Sequence, residues 1–101
     1  MEKEYKTFDE FYPFYLSEHS NRACRRLHFF GSALALVLLA CFIFTLNWML
    51  LASLPVVGYG FAWAGHFFFE KNRPATFTYP LYSLIADWVM FKNILTGKLK
   101  F

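Results

Sequence analysis

From Phe29 to Phe69 the chain runs 41 residues without an aspartate, glutamate, lysine or arginine. A hydrocarbon core of about 30 Å takes about 20 helical residues, so this run predicts two membrane spans joined by a tight turn. The spans are expected at about 29–51 and 55–73. Thr45-Leu46-Asn47 and Ser53-Leu54-Pro55 frame the turn region. Pro74 ends the second span, because the residue before a proline resists helical geometry. Upstream, Thr7-Phe8-Asp9-Glu10 has the form of a capping box and should open a short helix to about Leu16, kinked or shortened by Pro13. Its Phe8, Phe11, Tyr12, Phe14 and Tyr15 are aromatic almost all round, which suits a membrane interface. Ser17 to Asn21 breaks the pattern, and Ser20 or Asn21 can cap the next helix, which begins near Arg22. A last helix is expected from about Pro80 to Leu95.

The composition agrees with a membrane protein. Hydrophobic residues make up 57% of the chain and charged ones 17%, against about a quarter charged in soluble domains. Its 101 residues leave room for one domain, 1–101. Arg22, Arg25 and Arg26 precede the first span, Lys71 and Arg73 follow the second, and the turn between carries no charge. The positive-inside tendency therefore puts both ends of the hairpin in the cytoplasm. A last helix that crossed would carry Lys98 and Lys100 outside, so an interfacial or half-inserted helix is expected. The class is all-α, an integral membrane hairpin flanked by two interfacial helices. The net charge of +3 suits anionic lipid headgroups. No basic cluster interleaves with a stacking platform, which argues against nucleic acid as a partner. The acidic start has no basic region before an apolar core, so no cleavable signal peptide is expected. Cys41 falls inside the first span, which makes Cys24 and Cys41 a poor disulfide pair.

The candidate chemistry gathers at the charged end. His19 and His28 precede the first span and His66 lies near the end of the second, so the hairpin returns all three histidines to one membrane face. On one straight helix His19 and His28 would stand about 180° apart; the break at Ser20-Asn21 frees His19 to fold back. Any one of them is explained as an interfacial side chain with a hydrogen-bond partner, but three converging suit zinc, copper or non-haem iron. Glu70 follows His66 by four residues and Arg73 follows Glu70 by three, so the three are expected on one helix face. Asp87 is a fourth polar candidate, on a helix able to cover the site. Glu70 and Asp87 are the catalytic candidates, orienting a histidine or replacing one as ligand; Glu70 serves equally as a salt-bridge partner of Arg73. Arg73 is the first choice for a substrate carboxylate. Arg22 and Arg26 are further substrate-binding candidates, although with Arg25 they serve equally to fix topology and meet lipid phosphates. There is no phosphate loop, dinucleotide fingerprint, GxSxG or CxxC.

The strings Glu18-His19-Ser20-Asn21-Arg22-Ala23-Cys24-Arg25-Arg26-Leu27-His28 and Gly65-His66-Phe67-Phe68-Phe69-Glu70-Lys71-Asn72-Arg73-Pro74-Ala75 carry a resemblance. They resemble a small membrane-protein family, formerly a domain of unknown function, that includes the fungal 2-hydroxy fatty acid dioxygenase of alpha-oxidation. The second string is the more specific, and the likeness covers nearly the whole chain, in the manner of the short bacterial branch. The fungal enzyme is longer and differs around Asn21 to Leu27. The resemblance implies an Fe(II)- and O2-dependent enzyme of the bacterial inner membrane. It would shorten a 2-hydroxy long-chain fatty acid by one carbon, with His19, His28 and His66 as the matching histidine ligands. Three histidines on a six-coordinate iron leave three positions open for reactants. Two other readings remain at this point. One is a bis-histidine haem protein using His28 and His66; the other is a non-enzymatic membrane adaptor or lipid-binding protein with structural histidines. A hairpin this small is also expected to gain packing from a second copy, as a homo-oligomer.

Overall fold

The computed structural model describes residues 5–101; Met1 to Glu4, on which the signal-peptide expectation partly rests, lie outside them. The described residues form helices α1 (Phe8–Ser17), α2 (Arg22–Thr45), α3 (Trp48–Ala64) and α4 (Pro80–Leu95). A π-helical turn, Gly65–Glu70, continues α3, and a 3-10 turn, Ala75–Phe77, precedes α4. The Thr7 side chain caps α1, its Oγ1 accepting from Glu10 N at 3.2 Å. Glu10 Oε2 in turn accepts from Lys6 N at 3.1 Å, a capping box whose return arm reaches one residue further back. Pro13 stays on the exposed side of α1 and the helix continues through it to Ser17. Asn21 caps α2 as expected, its side chain accepting from Ala23 N and Cys24 N.

The hairpin turns earlier than the sequence indicates. Leu46 adopts a left-handed conformation (φ 54°) and donates its N–H to Phe42 O, and the Asn47 side chain accepts from Met49 N to start α3. The first helix therefore ends at Thr45 instead of near 51, and Pro55 sits inside α3 instead of opening it. A single cap residue sets this turn, and the unbroken apolar sequence on either side hides it.

Two segments, Arg22–Thr45 and Trp48–Glu70, are long and apolar enough to cross a membrane, with mean hydropathy 2.4 and 1.3. The more telling fact is exposure: only 11% of the most apolar window of each is buried, where the core helix of a soluble protein would be mostly buried. At 16 residues α4 is about 24 Å long, too short for a perpendicular crossing. It packs instead against α1, where Phe11, Tyr15, Tyr79, Ala86 and Met90 form the buried core. That core stands at the histidine end of the hairpin, so α1 and α4 enclose the site while most of α2 and α3 stays uncovered.

Candidate metal centre

Three local features deliver the histidines. His19 follows the end of α1 in the bend before Asn21, His28 lies on the second turn of α2, and His66 lies on the π-helical turn. All three are buried, at 0%, 6% and 2% exposure. Their ring centroids are 4.3 Å (His19–His28), 4.5 Å (His19–His66) and 4.9 Å (His28–His66) apart, with the rings nearly perpendicular. His19 Nε2 and His28 Nε2 are 3.0 Å apart.

The other ring nitrogen of each is committed. His19 Nδ1 lies 2.6 Å from Tyr15 O, and His28 Nδ1 lies 2.9 Å from Cys24 O. A carbonyl oxygen only accepts, so both Nδ1 atoms carry the proton and donate. His66 Nδ1 lies 2.7 Å from Asn72 Oδ1. The Asn72 amide is oriented by donating from Nδ2 to Glu18 O at 3.1 Å and Glu18 Oε2 at 2.6 Å, which turns its oxygen to accept from His66. All three Nε2 atoms are thus left as lone pairs. Two lone pairs 3.0 Å apart repel unless a cation lies between them. The spacing is about that of neighbouring ligand atoms at right angles on a metal with bonds of about 2.1 Å. Neutral imidazoles, each anchored through Nδ1–H to an oxygen, are the donor set a metal requires. Cys24 joins the cluster within 4.8 Å, and its Sγ lies 3.8 Å from Nδ1 of His28.

Burial, reinforced by the neighbouring His28 and His66 imidazoles, holds His19 well below the ordinary histidine range, so it is neutral at pH 7. Asp87 faces the same cavity from α4. Burial pushes its carboxyl up to about 7, although the Tyr15 hydroxyl, which donates to Oδ1, works in the other direction. Tyr15 therefore touches both sides of the site: its carbonyl anchors His19, its hydroxyl holds Asp87, and its ring stacks on His19 at 4.0 Å.

The remaining residues expected at the site are distributed differently. Arg73 does not continue the helix face expected for His66, Glu70 and Arg73, because the helix ends at Glu70 and Lys71 turns left-handed (φ 59°). Both Glu70 oxygens face the start of α2, accepting from Ser20 Oγ at 2.7 Å and Asn21 N at 2.5 Å, a clamp between the two long helices. Arg73 is exposed and lies over the Phe77 ring at 5.1 Å; Arg26 is exposed and lies over Phe101 at 4.9 Å. Arg22 is exposed at the first position of α2. Asn72, Glu18 and Tyr15 are the functional neighbours that sequence reasoning passed over. Asn72 and Glu18 stand in the same strings as the histidines, and the general need of a ligand histidine for a second partner was the signal available.

A cavity of about 20 Å³ adjoins the imidazoles, lined among others by Tyr15, Ser83 and Asp87. That is room for about one water-sized group. Beside it, sharing His28, Tyr59, Ala62 and Asp87 as wall, is an apolar groove of about 360 Å³ between α2, α3 and α4. Gly31, Ala35, Gly58 and Ala62 leave the space, and Leu39 and Leu54 lie among its lining further along the hairpin. Over residues 5–99 the chain matches the family model described as 2-hydroxy-palmitic acid dioxygenase Mpo1-like. No curated protein and no solved structure matches it.

Proposed function

The chain belongs to the 2-hydroxy-palmitic acid dioxygenase Mpo1-like family, and on that premise we propose that it is an iron-dependent membrane dioxygenase that shortens 2-hydroxy long-chain fatty acids by one carbon. The observation that carries the reading is the convergence of three buried histidines, each with Nδ1 on an oxygen, beside an apolar groove. Overall, R–CHOH–COOH and O2 become R–COOH, CO2 and water. Ferrous iron held by His19, His28 and His66 would relay electrons from the acid to O2 and supply Lewis acidity.

The chain's own residues do the rest. Tyr15, Cys24 and Asn72 fix the three rings through their Nδ1 atoms, so no ring has to turn when the metal enters. The groove takes the acyl chain, which passes from one apolar setting to another when it comes from the bilayer. The Tyr15 hydroxyl, which donates to Asp87, keeps a proton beside the chamber, available to an oxygen that gains charge as the carbon–carbon bond breaks. Arg22 and Arg26 are exposed at the start of α2, where they meet lipid phosphates and draw an anionic substrate to the surface. In this reading α2 and α3 cross a bacterial inner membrane with both termini in the cytoplasm.

The haem alternative has no room: His19 Nε2 stands 3.0 Å from His28 Nε2, and the adjoining chamber holds about 20 Å³. The test is oxygen uptake by the iron-loaded protein with 2-hydroxyhexadecanoic acid, with the one-carbon-shorter acid followed by mass spectrometry. His28→Ala should lower turnover at least about 100-fold. Equal product formation in the wild type and His28→Ala would overturn the role of the histidine centre, and no product from the iron-loaded wild type would leave the adaptor alternative.

A further inference from the structure

Ser83 lies one turn before Asp87 on α4, so the two project to the same side. It is 4% exposed, and its N–H donates to Tyr79 O at 2.9 Å. Its hydroxyl has no partner. A serine inside a helix commonly turns its hydroxyl back to the carbonyl four residues earlier. Ser83 does not; it lines the small chamber together with His19, His28 and His66. Among the described residues one other buried side-chain polar atom is unpartnered, Arg25 Nε, and Arg25 does not line the chamber. Of the other polar groups around the chamber, the three Nε2 lone pairs are the metal donors and the rest of the site is internally bonded. The three Nδ1 atoms face oxygens and the Tyr15 hydroxyl donates to Asp87. A hydroxyl kept dry and unbonded is unfavourable, and a ligand that brings a partner removes the penalty.

We propose that Ser83 is a specificity-determining residue whose hydroxyl hydrogen-bonds the 2-hydroxyl of the substrate and so selects 2-hydroxy acids over plain fatty acids. The proposal rests on the dioxygenase reading. A hydroxyl both donates and accepts, as does the group it meets, whereas a carboxylate only accepts. With space for about one water-sized group, the chamber admits a single hydroxyl beside the imidazoles. A plain fatty acid would fill the groove equally well but leave Ser83 unbonded. Sites built to bond a hydroxyl discriminate well against the analogue that lacks it.

The test is equilibrium binding of 2-hydroxyhexadecanoic acid and hexadecanoic acid to the iron-loaded protein under anaerobic conditions. Binding is read by the fluorescence of Trp63 and Trp88, which line the two cavities. Ser83→Ala should lower the preference for the hydroxy acid about tenfold, or about 1.4 kcal/mol. Affinity for hexadecanoic acid and iron content should stay as in the wild type. Ser83→Cys, closer in volume and a weak donor, should lose the preference likewise, and Ser83→Thr should keep it. A wild-type preference retained in both Ser83→Ala and Ser83→Cys would overturn the role of Ser83 while leaving the enzyme reading intact. A wild type that binds the two acids equally would overturn the Ser83 proposal alone, and a wild type that binds neither would remove the enzyme reading with it.

Discussion

His19, His28 and His66 each spend one ring nitrogen on an oxygen, and the bonds that matter most to the site are these outward ones. For His66 the oxygen belongs to Asn72, itself oriented by Glu18. Asn72→Leu removes that support without touching a ligand, so metal affinity should fall about 10- to 100-fold with helicity unchanged. Competition against a chelator checks it, and equal affinity in the two proteins would count against the arrangement. Asp87 gives a second residue-scale prediction. Its carboxyl is raised from 3.8 to about 7 by burial, so the fold favours the protonated form. Stability from this group is greatest below about 4 and is lost as pH rises through about 7. In chelator-treated protein the difference in melting temperature, Asp87→Asn minus wild type, should therefore grow between pH 5 and 8. A difference independent of pH would contradict the raised carboxyl. The three ligand candidates were legible in the sequence because the charge-free run forces their ends together. Asn72 was not, because its reach to His66 depends on the left-handed Lys71, which no pattern of hydrophobic residues reveals.

At the scale of elements, the π-helical turn Gly65–Glu70 decides where His66 points. Its first residue is pressed against α2. A Cβ at Gly65 would stand 2.9 Å from Cys24 Sγ and 3.1 Å from Cys24 Cα, and a backbone atom has little room to give. Gly65→Ala should therefore cost about 1–3 kcal/mol of stability and weaken metal binding, since His66 is the next residue. Thermal unfolding in detergent reads the first effect and metal content the second. Gly58 is the contrasting case. It lines the groove with nothing within 4 Å of an added Cβ. Gly58→Leu should fold and keep its metal while losing affinity for long acyl chains by about tenfold or more. Unchanged binding would place the acyl chain elsewhere. Most element positions could be read from the sequence, down to the Thr7 and Asn21 caps. The hairpin turn could not, since Leu46-Asn47 lies in uniformly apolar surroundings and Pro55 offered a stronger breaker signal. The π-turn also stayed hidden, and with it the parting of Glu70 from Arg73.

For the whole molecule, the apolar hairpin is nearly bare protein surface, while the polar chemistry is enclosed at one end by α1 and α4. That division was plain in the sequence, where 41 charge-free residues stand between the two charged ends. It also fits an enzyme that draws a lipid substrate sideways from the bilayer, with the 2-hydroxyl entering the chamber and the chain lying in the groove. The orientation can be checked with reporters fused after Phe101. A fluorescent protein that matures in the cytoplasm should be bright, and a phosphatase active only in the periplasm should be silent. The opposite pattern would reverse the topology.

The central claim is that His19, His28 and His66 together hold a metal, and metal analysis of anaerobically purified protein tests it most directly. About one iron per chain is expected in the wild type after ferrous reconstitution, and a loss of most of it in His66→Ala at unchanged helicity. No bound metal in the reconstituted wild type, or the same content in both proteins, would contradict the account.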